Sequence, residues 1–302
     1  MHPRLKHHPH HSEYITQANE FRPFVMSMSQ PNHQSPTVNT DQFGFRLSYD
    51  VGNSIIDLTE AKKKYAQCNV LIGGSTAFGV SASDDKHTVA HHLNAVDAPC
   101  INFGMRGAVT QQELLTFLLY KHLLPPQRNI VLLSGINDVS LASLTGSMMY
   151  PEIGGMFSEE VFFTHAETIY RDVAQSSRSP RKRRFLKWAE EQFEKSPLLR
   201  RVVDVFEYRL PSMTYRDPLP MDFRDKLEIC LGLIGNNLET WGWIGRGAKA
   251  HVTYILQPAI GWTRKPLTKT ERECFDADLK ILPVTGEYAT PEIHKRVRHA
   301  IE

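Results

Sequence analysis

NVLIGGSTAFG, residues 69–79, decides the fold. A brief apolar run over residues 69–72 meets two glycines and then Ser75, where a helix can begin. A run this short, bounded by glycine, reads as a strand buried on both faces. Three more runs share the pattern, at residues 100–103, 130–133 and 252–256. Between the second and third lies VTQQELLTFLLYKHLL (109–124), whose Leu114, Leu115, Leu118 and Leu119 recur at helical spacing until Pro125 and Pro126 stop the helix. Strand, helix, strand predicts a parallel sheet covered by helices, with functional groups on the loops beyond the strands' carboxyl ends.

Those loops carry the chemistry. Gly73 and Gly74 permit a tight turn that aims Ser75 into the crevice. The second loop, INFGMRGAVTQQEL (101–114), offers the Gly107 amide where the next helix starts, and the third, IVLLSGINDVSL (130–141), offers the Asn137 carboxamide. A serine with three N–H donors, its own amide, Gly107 and Asn137, reads as a nucleophile with an oxyanion hole. Neither the GK[ST] ending of a phosphate loop nor the GxGxxG fingerprint is present.

The ordered blocks GGS75TAFG, NFGMRG107 and GIN137D resemble those of the SGNH or GDSL hydrolases, with Gly74 where an aspartate often stands. YILQP (254–258) extends the likeness to the fourth strand, and the N-terminal half is faintly similar to proteins called inducers of phenazine production. The resemblance implies a flavodoxin-like, three-layer α/β/α fold and a serine esterase or thioesterase. In it Ser75 is the nucleophile, and Ser75, Gly107 and Asn137 form the oxyanion hole. The substrate is then a small-molecule ester or thioester, and no organic cofactor or metal is implied. An acyltransferase using the same serine differs only in its acceptor, and the sequence does not separate the two.

The family's D-x-x-H pair is not found after Gln257. Asp84 and His87 have the spacing but open the helix behind Ser75, where a capping carboxylate is the plain reading. His294 and His299 lie on a basic terminal helix without a carboxylate three residues before them. Two expectations follow: a chain ending before the last strand and its catalytic loop, or a non-hydrolytic binding or regulatory protein of secondary metabolism.

The 302 residues carry 35 Lys and Arg against 33 Asp and Glu, so net charge gives no general affinity for nucleic acid. No apolar run reaches the roughly 18 residues of a membrane span. The N-terminus, MHPRLKHHPHHSEY, has no apolar signal core, and Cys68, Cys100, Cys230 and Cys274 are widely spaced, which predicts a cytoplasmic protein. Residues 1–40 read as a flexible, loosely attached extension, with its histidines assigned no role, and 41–302 as the α/β domain. A helical insertion is expected over about 145–248, after the third strand. It includes an apolar segment, TGSMMYPEIGGMFSEEVFF (145–163), suited to an acyl pocket, and a basic one, RSPRKRRFLKW (178–188). Oligomeric state is not legible.

Overall fold

The computed structural model describes residues 3–22, 24–144, 148–149, 219–281 and 285–302. It divides into one unit of residues 1–156 with 219–302 and a second of residues 157–218. The basic segment at 178–188 and most of the apolar segment at 145–163 lie outside the described residues.

The four apolar runs form one parallel sheet: β1 (Cys68–Gly73), β2 (Cys100–Gly104), β3 (Gln127–Ser134) and β4 (His251–Leu256), in the order β2-β1-β3-β4. β1 and β2 are buried at every position. β4, at the edge, alternates between exposed and half-buried residues, as expected of a strand covered on one face. Val70, Ile72, Ile101, Phe103, Ile130 and Leu132 build the largest apolar cluster with Phe117 and Trp241. No helix among the described residues is long and apolar enough to cross a membrane.

Four helices matter most for the site: α1 (Ser75–Phe78), α2 (Thr110–Tyr120), α3 (Ile136–Leu144) and α4 (Phe223–Ala248). α2 lies where the sequence predicts it, but Leu115, Leu118 and Leu119 are about two-fifths exposed, at 41%, 42% and 42%. The buried face instead carries Thr110, Gln112, Glu113, Thr116 and Phe117. Gln112 donates to the Val25 carbonyl and Glu113 accepts from Ser134, which turns the polar side inward.

α4 starts where Asp222 accepts from the Asp225 amide, and it buries Leu227, Leu231, Ile234 and Trp241. It packs on α2, α3 and β4 and belongs to the same unit as the sheet. It is therefore the crossover helix between β3 and β4, although its distance along the chain suggested an insertion.

Residues 3–40 also differ from the loosely attached extension expected of their composition. Tyr14, Met28, Ser29 and Val38 are buried, and Tyr14 and Val38 cluster with Phe78. The tie is Arg46, fully buried, which pairs with Asp85 at 2.8 Å and donates to the Tyr14 hydroxyl and to the Thr37 and Gly79 carbonyls. A buried guanidinium needs this many partners to offset its lost hydration.

Arg46→Ala would strand Asp85 as a buried charge and release the Tyr14 and Thr37 contacts. The expected loss is about 3–5 kcal/mol in urea unfolding. A loss below about 1 kcal/mol would show that the N-terminal segment is not held this way.

Candidate functional site

Strand order sets the site. β1 stands between β2 and β3, so the chain switches direction across it, and in open α/β sheets the carboxyl ends of the strands at such a switch point are where ligand crevices form. The register pairs Gly73 with both Gly104 and Leu133, which brings the three strand ends level. Ser75 lies two residues past β1, Gly107 three residues past β2, and Asn137 three residues past β3.

These three loops meet. Asn137 Nδ2 donates to the Ala108 carbonyl at 2.7 Å. Gly74 lies against the same carboxamide, so a methyl group at Gly74 would collide with Asn137 Nδ2. Gly107 is exposed, with φ of +75° and open space where a side chain would stand. Its left-handed backbone suits glycine. Among the described residues, the Ser75 and Gly107 amides have no hydrogen-bond acceptor, and the half-buried Ser75 hydroxyl has no partner. A carboxamide carries two N–H bonds, so Asn137 keeps one beyond that given to Ala108.

A buried polar network holds this arrangement from below. The Asp138 carboxylate accepts from the Thr110 amide at 3.2 Å and from its hydroxyl at 2.8 Å, while Asn237 of α4 donates to that hydroxyl at 3.0 Å. Glu113 accepts from Ser134 at 2.6 Å. Burial pushes the Asp138 carboxyl up to about 6 against the pull of the Thr110 hydrogen bonds. Burial first, and then the charge of Asp138, raises Glu113 well above the usual carboxylate range. The buried Tyr254 hydroxyl, raised by the same desolvation, has no partner among the described residues.

Sequence reasoning missed these supports. Glu113 sits inside a leucine-rich helix and Asp138 beside the more conspicuous Asn137, so neither stands out by spacing. Arg106 was missed too: its guanidinium donates to the Tyr14 and Gln17 carbonyls and to the Asn19 side chain, tying the glycine loop to the N-terminal segment. His10 and His11, assigned no role from the sequence, contact Ser81 on the loop after α1, at 2.8 and 2.5 Å.

Asp84 and His87 do bond each other, at 2.8 Å, but His87 is exposed and Asp84 half-buried, and Asp84 caps its own turn by accepting from the Lys86 amide. His294 stacks on Trp262, with ring centroids 5.5 Å apart. No protein-family model matches the chain, and no curated protein matches it.

A carboxyl whose pKa is raised by folding binds its proton more tightly in the folded chain. Its contribution is therefore full below the ordinary carboxylate pKa and is lost as pH rises through the folded value. For Asp138 that window runs from 3.8 to about 6. Stability measured across it should shift in favour of Asp138→Asn, relative to the parent, by on the order of 2–3 kcal/mol. Parallel pH profiles for parent and variant would contradict the assignment.

Proposed function

We propose that the protein is an SGNH-type serine hydrolase of flavodoxin-like fold, acting on a small-molecule ester or thioester through an acyl-serine intermediate. The observation that carries this reading is the meeting of the Ser75, Gly107 and Asn137 loops at the carboxyl edge of the sheet. The β2-β1-β3-β4 order agrees with the first four strands of a flavodoxin-like sheet.

Ser75 Oγ attacks the acyl carbon, and the carbonyl oxygen becomes an oxyanion facing the Ser75 and Gly107 amides and the second Asn137 N–H. Collapse expels the alcohol or thiol with a proton and leaves the acyl group on Ser75. Water attacks this ester and restores the hydroxyl, whereas another hydroxyl as acceptor would make the same cycle an acyl transfer.

A specific observation favours a second reading. Among the described residues, no imidazole bonds Ser75 Oγ, and a serine without a general base is a weak nucleophile. The second reading is a non-hydrolytic binding or regulatory protein that keeps the same crevice.

A fluorophosphonate probe and an aryl ester separate the two. Hydrolysis predicts labelling at Ser75, loss of both labelling and turnover in Ser75→Ala, and a fall in kcat of about 10²–10³ in Asn137→Ala. No labelling at Ser75 together with no turnover of the ester would leave only the binding reading, and undiminished turnover in Ser75→Ala would exclude Ser75 as the nucleophile.

A further inference from the structure

A second cleft, of about 880 Å³, opens beside the end of β4. Leu256 and Pro258 line it together with Trp262 and the C-terminal helix α5 (Pro291–Ile301). Leu256 pairs with Ser134 at the end of β3, so the cleft shares the carboxyl edge of the sheet with the Ser75 crevice. Val139, two residues beyond Asn137, packs in one apolar cluster with Trp262, Ile293 and Val297. The cleft wall and the helix carrying Asn137 therefore rest on a common core.

Its charge is one-sided. Arg264, Lys295 and Arg298 line the cleft, against one acidic side chain, that of Glu302, which pairs with Arg298. Arg264 and Lys295 have no acidic partner among the described residues. His294 and His299 add donors, with His294 held against Trp262. Cations gathered in a concave surface attract anions, and guanidinium and ammonium groups together suit phosphate oxygens.

We infer that this cleft binds a phosphate-bearing group, and that the group is the non-reacting part of the acyl donor. The anion site stands by itself, whereas its place in the substrate rests on the serine hydrolase reading.

Calorimetric titration of the intact chain with inorganic pyrophosphate tests the site. Saturable binding is expected in the parent and in Ser75→Ala, and at least tenfold weaker binding in the Arg264→Gln/Lys295→Gln double variant. Both substituted residues are exposed, and circular dichroism checks that the fold is kept. No saturable binding, or equal affinity in the double variant, overturns the site. Pyrophosphate should also raise KM for acetyl-coenzyme A, used as a phosphate-bearing thioester probe, without changing kcat, and should spare hydrolysis of 4-nitrophenyl acetate. Equal inhibition of both substrates, or of neither, overturns the substrate assignment. Pyrophosphate binding by a protein that cleaves no ester would retain the anion site and discard the serine reading.

Discussion

Two adjacent side chains on one helix hold the site together. Asn137 grips the Ala108 carbonyl and Asp138 grips the Thr110 amide and hydroxyl, so one dipeptide fixes the loop that presents Gly107. Hydrogen bonds to a charged group typically contribute about 1.5–3 kcal/mol, more than a neutral pair. Without this grip, the left-handed backbone at Gly107 would have no fixed direction, and its amide could not be aimed in advance at a developing charge. In the proposed hydrolase, such prior aim is what would make these donors an oxyanion hole rather than an incidental gathering.

The same grip places carboxyl groups where water does not reach. Asp138 and Glu113 are both buried, and the charge of Asp138 adds to the burial that makes Glu113 hold its proton. Asn237 extends the network to α4 and Ser134 to the end of β3. The loops of the site are thus anchored to the sheet and its covering helix rather than to one another alone.

The strands were legible because buried parallel strands leave short apolar runs, and the places of Ser75, Gly107 and Asn137 just beyond the strand ends were legible because they follow such runs. What escaped reading depended on contacts distant in sequence. The leucine stripe of α2 suggested the wrong buried face, since only Ser134 and Val25 reveal why Glu113 and Gln112 turn inward. The polar N-terminal composition suggested detachment, since nothing local announces that Arg46 will bury itself against Tyr14 and Asp85. α4 fell within the insertion expected over about 145–248 because residues 145–222 separate it from α3 in sequence, but Leu227, Leu231, Ile234, Leu238 and Trp241 on one face already suited it to pack on the sheet or under a lid, and it lies on the sheet in space.

The most direct measurement is a crystal structure of the chain after reaction with a phosphonate ester, which imitates the tetrahedral intermediate. The account predicts phosphorus bonded to Ser75 Oγ, with its free oxygen about 2.7–3.1 Å from the Ser75 and Gly107 amide nitrogens and Asn137 Nδ2. Phosphorus on another residue, or an oxygen turned away from Gly107 and Asn137, would contradict it.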